Sequence, residues 1–392
     1  MTLPPQTTPA PRHTSERMGE TGPLPMVASL TGLRWVAALA VFMYHLRNLQ
    51  YLDGAPQQFL SSVFGGASAA VSLFFVLSGF VLAWSHREHT AILAVWVRRL
   101  ARIWPLHLVC FLAAMLVGLT LYPAIRTSDA SAGIANIFLV SAWRADWWQA
   151  GNPVSWSLVC EAFFYLAFPL LFRMLRPASQ RVLWAVAAVA VTLVWLAPVV
   201  VPLMPGALSS YTFPPARLPE FCLGMVLAML MRYRAFVGSP IWLALVVSAA
   251  GCVAAAVDPA NPLSYAAFTI VGFGMLLTSL ARAALTGRVG FLGHPLLVKL
   301  GNVSFAFYLI HLVTLQAVIG AASRWGFNSL GAPLALIAMV ISLTAAVALH
   351  YGVERPFLRV FSPSLLGASP DETGAMPAPS PSDSATTAPA PR

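Results

Sequence analysis

Two basic residues stand out by spacing. Arg34 and His45 are eleven positions apart in one apolar stretch. On a helix that separation is about 20° past three full turns, so both side chains share one face, with about 16 Å of rise between them. The guanidinium is a fixed cation that can hold an anion or polarise a carbonyl, and the imidazole can exchange a proton near neutral pH. Other apolar stretches carry Glu161, Glu220 and His311. Counting from the predicted helix ends puts Glu161 and Glu220 near the depth of His45, with Arg34 beneath. The pattern is a polar chamber open both ways and able to support proton transfer. Each residue also has a purely structural account. A lone histidine in a span can simply hydrogen-bond to a neighbouring helix. Glu161 can be the partner of an Arg or His, because an unpaired buried carboxylate is costly. Glu220 follows Pro219 at a helix start, where the positive end of the helix dipole suffices.

The elements that position these groups are predicted to be membrane helices. Hydrophobic residues make up 58% of the 392 and charged residues 9%, and the mean hydropathy is +0.76. These values exclude a soluble globular protein, a disordered chain and a secreted disulfide scaffold. Ten apolar stretches approach spanning length: 28–48, 66–85, 104–122, 155–175, 182–204, 217–231, 240–257, 263–285, 300–322 and 332–353. The sixth is short and follows several prolines. The Trp-rich segment 133–148 reads as an interfacial loop. The expected fold is all-α, a polytopic membrane helix bundle of about ten transmembrane helices. Residues 1–27 and 362–392 read as disordered low-complexity tails and 28–361 as the transmembrane domain.

The net charge is +10. Arginines lie mostly between apolar segments, which fits topology signals better than a nucleic-acid footprint. Ten alternating spans put sixteen basic residues on one side and five on the other, with Arg47, Arg126, Arg144, Arg217 and Arg324 forming the smaller set. The positive-inside rule makes the richer side cytoplasmic, together with both termini. Arg98, Arg99 and Arg102 fall there, where composition alone reads them as an anchor. His107 and His350 are expected near cytoplasmic helix ends. Cys110, Cys160, Cys222 and Cys252 form no CxxC pair and argue for neither disulfides nor zinc.

Several segments together carry a resemblance. The first helix runs from Leu30 through Arg34 to Tyr44 and His45, an Arg-x10-His pattern. The second holds Phe74-Phe75-Val76-Leu77-Ser78-Gly79-Phe80. Arg98-Arg99-Leu100-Ala101-Arg102-Ile103-Trp104-Pro105 follows, then Trp156-Ser157-Leu158-Val159-Cys160-Glu161 with Phe164-Tyr165 and Pro169. Arg217 to Met225, Ser304 to His311, and Glu354-Arg355-Pro356 complete the series. In this order the motifs resemble membrane-bound acyltransferase family 3, the integral-membrane O-acyltransferases of sugars, glycans and natural products. The resemblance covers about residues 28–360. It departs at Ala162, where many members have a second carboxylate beside the glutamate. The length resembles stand-alone members, including those that act on macrolide sugars, and not those fused to an esterase-like domain.

The resemblance implies a multi-pass protein of the bacterial inner (plasma) membrane. It would transfer a short acyl group from acyl-CoA to a hydroxyl of a glycan, glycolipid or glycosylated natural product, as in O-acetylation. His45 would be the base, Glu161 would orient it, and Arg34 would hold the CoA or polarise the thioester. Arg98, Arg99 and Arg102 would bind the CoA phosphates. Ser78, Glu220 and His311 complete the candidates on the substrate side, Ser78 with Gly79 having a helix-packing role as its alternative. No metal and no tightly bound cofactor is expected, and no nucleic-acid partner. The competing class is a transporter or flippase for a lipid-linked or small polar substrate, which intramembrane charges and a proline-broken span would also suit.

Overall fold

A computed structural model describes residues 27–86, 90–206, 208–233, 236–327 and 331–361. The expected tails lie outside the described residues, apart from Val27. Among the described residues the chain is helical, without strands. In order come α1 (Ala28–Asn48), α2 (Gly54–Phe64), α3 (Ala70–Ser85), α4 (Ile92–Thr120), α5 (Ala130–Ile137), α6 (Trp156–Leu175) and α7 (Gln180–Val200). They are followed by α8 (Pro214–Tyr233), α9 (Ile241–Val257), α10 (Ile270–Leu285), α11 (Pro295–Arg324), α12 (Gly331–Leu349) and α13 (Arg355–Val360). Apolar runs without water must satisfy their backbone groups internally, and a helix does this within one segment.

All ten expected stretches fall on helices. Among the described residues seven are long and apolar enough to cross a membrane: α1, α3 with the turn that leads into it (Ala67–Ser85), α4, α6, α7, α11 and α12. Helices α9 and α10 have only 17 and 16 residues. Helix α8 carries Arg217, Glu220 and Arg232 within its 20 residues. Segment 133–148 folds as the end of α5 and a tight turn at Ser141–Trp143, not as a span. Asp129 caps α5 by accepting from the Ala132 N–H at 2.7 Å. The Ser131 hydroxyl and, after it, that bond hold its carboxyl below the usual range.

Helix α4 starts at Ile92, twelve residues before the expected position. Its 29 residues extend about 43 Å, more than the ~30 Å of a hydrocarbon core. Arg98, Arg99 and Arg102 therefore project from the first turns of a rigid helix. The end of α12 widens into a π-helical turn at His350–Glu354, a local form often found at functional sites.

Helices α3 and α8 pack backbone to backbone through two glycines. A Cβ on Gly79 would stand 2.0 Å from the Phe221 carbonyl oxygen, and one on Gly224 would stand 1.8 Å from that of Val76. Small residues at such crossings permit the approach on which membrane helix packing depends. Gly79 is thus committed to packing. Gly224→Ala is expected to separate α3 from α8 and to leave little monodisperse protein on size-exclusion chromatography in detergent. A wild-type elution profile and melting temperature would contradict this packing.

Candidate active site

The site is built from α1, α3, α4, α6, α11 and the π turn, and it has an inner and an outer group of polar residues. The inner group gathers around Glu161 of α6. Its electrostatic neighbours are Arg34, Arg99 and Arg102, and it hydrogen-bonds Tyr165 one turn further on. Arg34 also faces Glu354, whose Oε2 lies 2.8 Å from His350 Nδ1. The Arg99 guanidinium sits 5.7 Å from the Tyr165 ring centre, and Ser78 Oγ donates to the Tyr165 hydroxyl at 3.3 Å. Arg98 Nε donates to the Ala94 carbonyl at 3.1 Å, and the Arg98 guanidinium is an electrostatic neighbour of Arg99. Arg34, Arg99 and Arg102 face two carboxylates, so positive charge is in excess. Such a place favours an anion, and the planar guanidinium fork matches phosphate.

The outer group is a pair of imidazoles. His45 of α1 and His311 of α11 have ring centres 5.2 Å apart. His45 is partly exposed and meets the Tyr44 ring edge-on at 5.3 Å. His311 is fully buried between Phe42 and Phe307. His311 Nδ1 lies 2.6 Å from the Tyr308 carbonyl oxygen. A carbonyl only accepts, so Nδ1 carries the proton and Nε2 of the neutral ring keeps its lone pair. That Nε2 is buried without a hydrogen-bond partner.

A cavity of about 50 Å³ lies between the two groups. Its polar lining is Arg34, Glu161, Ser157, Ser304 and Tyr308. The hydroxyls of Tyr308 and Ser157 are 2.9 Å apart, and the Tyr308 ring lies 5.8 Å from that of His311. A polar file thus runs from the arginines through Glu161 and Tyr308 to the histidine pair.

The geometry corrects the expected depth of Glu161. Its observed neighbours are the arginines, while His45 has His311. The reason is where α6 starts. Asn152, Val154 and Ser155 before it are buried in protein, and Asn152 Nδ2 donates to the Leu309 carbonyl at 2.7 Å. The helix therefore begins already inside the bundle, beside the middle of α11, so counting from an outer interface places Glu161 too high.

Three further expectations change. Arg217, counted with an outer loop, is fully buried in α8. Its Nε lies 3.0 Å from Glu220 Oε1, and its Nη2 donates to Ser72 Oγ at 2.9 Å. The rings of Tyr265 and Phe75 flank the guanidinium, centred 4.8 and 5.2 Å away. Glu220 is therefore engaged in an ion pair and does not line the cavity. His107, expected near a helix end, lies mid-way along α4, with Nε2 2.9 Å from the Asn136 carbonyl of α5. It ties the 130–155 segment down to the bundle.

Sequence reasoning passed over Tyr165, Ser157, Tyr308 and Glu354. All four stood inside the quoted motifs, and the signal was a hydroxyl or carboxylate one helical turn from a residue already singled out. Among the described residues no three His, Cys, Asp or Glu side chains converge as a metal site.

Comparison with known proteins gives a consistent picture. The family model described as an acyltransferase domain matches residues 27–351. Acyltransferase MdmB of Streptomyces mycarofaciens is 38% identical over 359 residues, spanning 85% of this chain and 92% of that protein. Peptidoglycan O-acetyltransferase OatA of Listeria monocytogenes is 28% identical over 36% of this chain and 24% of its own length. The O-acetyltransferase OatA of Staphylococcus aureus is 32% identical over 37% and 24%. No solved structure matches significantly.

Proposed function

The chain belongs to the acyltransferase family whose domain model spans residues 27–351, and from that premise we propose that it moves a short acyl group from acyl-CoA to a hydroxyl of a glycan, glycolipid or glycosylated natural product. The observation that carries this reading is the cavity bounded by Arg34, Glu161 and Tyr308, with Arg99 and Arg102 beside its Glu161 wall and His311 beside its Tyr308 wall. CoA brings several phosphates from the cytosol, and the excess positive charge around Arg98, Arg99 and Arg102 suits them. The pantetheine arm then passes Arg34. His45, partly exposed, takes the proton of the acceptor hydroxyl as its oxygen attacks the thioester carbon. The developing oxyanion is met by a hydroxyl donor from the Tyr308–Ser157 pair and by the field of Arg34. The carbon–sulfur bond breaks, the carbon–oxygen bond remains, and the proton on His45 goes to the CoA thiolate.

In this scheme Glu161 positions Arg34 and Arg102, and His311 supports His45. The excess of basic residues at the arginine-rich helix ends supports a multi-pass plasma-membrane protein with that side facing the cytoplasm.

Purified protein incubated with radiolabelled acetyl-CoA tests the class. Label is expected to leave CoA, slowly even with water or a poor acceptor. Label that stays on CoA, together with movement of a solute across vesicles, would favour a transporter. The double variant Arg98→Ala, Arg99→Ala is expected to weaken acyl-CoA binding about tenfold or more, with a shallower salt dependence than the wild type. Unchanged affinity would return these arginines to the role of an inner-face anchor.

A further inference from the structure

The geometry points to the cavity between Arg34 and Tyr308 as an acyl slot that admits an acetyl group and rejects longer chains, with Phe74 as the wall that sets the limit. The inference rests on the acyltransferase reading and adds the identity of the acyl group.

The argument is one of volume and lining. The cavity holds about 50 Å³. An apolar cavity of about 150 Å³ admits the six heavy atoms of a benzene ring, so a third of that volume has room for about two or three heavy atoms. An acetyl group has three, two carbons and an oxygen, and is the smallest acyl group with a methyl end. Its carbonyl finds hydroxyls at the Tyr308–Ser157 end. Its methyl meets an apolar surface made by Val71, Phe74, Phe75, Leu158 and Phe305. A longer chain would have to displace these side chains, and close-packed interiors give little without strain.

The walls differ in how firmly they are held. Val71 and Leu158 are buried core residues. Phe75 packs edge-on against Trp156 and Phe164, and Arg217 stands over its ring. Phe74 is only partly buried and meets the Tyr308 ring edge-on at 5.8 Å. It thus lies beside the hydroxyl that would face the carbonyl. Shortening Phe74 lengthens the slot at that point with the least disturbance to the core. Phe305, also partly buried, is the next such wall.

The test compares CoA, acetyl-CoA, butyryl-CoA and octanoyl-CoA on the full-length protein in detergent. Affinity is read from ligand-induced thermal stabilisation, so no acceptor is needed. Wild type is expected to bind acetyl-CoA about tenfold or more tightly than butyryl-CoA, the order set by methylenes that do not fit. Phe74→Ala should bring the two within about threefold, chiefly by improving butyryl-CoA. Phe305→Ala serves as the second variant if Phe74→Ala does not fold. Equal wild-type affinity for acetyl-, butyryl- and octanoyl-CoA would overturn the slot while leaving CoA recognition standing. So would a wild-type preference for acetyl that a folded Phe74→Ala or Phe305→Ala leaves unchanged. If CoA and all its esters fail to stabilise the wild type, the acyltransferase reading itself loses its donor, a result separable from the other two.

Discussion

His45→Ala is expected to lower acyl transfer by about a hundredfold to ten-thousandfold, the usual worth of a positioned general base. Melting temperature and acyl-CoA affinity should stay near wild type. The structure explains why the effect should fall on chemistry and not on folding. His45 is partly exposed, and its ring contacts are with Tyr44 and His311. No helix–helix hydrogen bond in the described structure runs through it, so its loss leaves the packing of α1 intact. His311 is a different case, because it is fully buried and donates to its own helix backbone. Near-normal turnover in His45→Ala would move the base elsewhere, and the bare Nε2 of His311 would be the next group to examine.

Arg217→Met should be the most damaging of the substitutions away from the proposed site. It removes a cation whose Nε lies 3.0 Å from Glu220 Oε1 and whose Nη2 donates to Glu220 Oε2 at 3.3 Å and to Ser72 on α3. Glu220 would be left buried and without its counter-charge, and breaking such a pair typically costs about 3–5 kcal/mol. Thermal inactivation in detergent should shift to markedly lower temperature, and acyl transfer should fall with the amount of folded protein. The double variant Arg217→Met, Glu220→Gln should recover much of the lost stability, because no buried charge then remains. If Arg217→Met alone melts like the wild type, the pair does not hold α8 to α3.

How legible this molecule was in its sequence differs from residue to residue. The apolar stretches sit on helices because hydropathy is a property of single segments. The shared face of Arg34 and His45 also follows from one helix alone. Spanning length was less legible, since α8 to α10 are short or charged and depend on neighbours for cover. The long start of α4 was hidden because Arg98, Arg99 and Arg102 looked like a loop. Arginine is a good helix former, however, and its long stem can place the charge at an interface. Glu161 shows the limit most plainly. Its depth depends on the buried turn before α6, anchored by Asn152 to Leu309, a contact 157 residues apart in sequence that no local pattern reports. The partnership of Arg217 and Glu220 was readable in principle, as opposite charges three residues apart on one helix. The prolines around them drew the reading toward a helix start instead, with Glu220 held by the helix dipole and Arg217 counted with the outer loop.

The central claim is a continuous path from the arginine cluster past Arg34 and Glu161 to the histidine pair, travelled by a thioester. An experimental structure of the full-length protein with acetyl-CoA bound tests it most directly. The account predicts CoA phosphates at Arg98, Arg99 and Arg102, the pantetheine beside Arg34, and the thioester carbonyl within hydrogen-bond reach of the Tyr308 or Ser157 hydroxyl. Acetyl-CoA seated on another face of the bundle, with the Arg34–Tyr308 cavity closed off from it, would contradict the account.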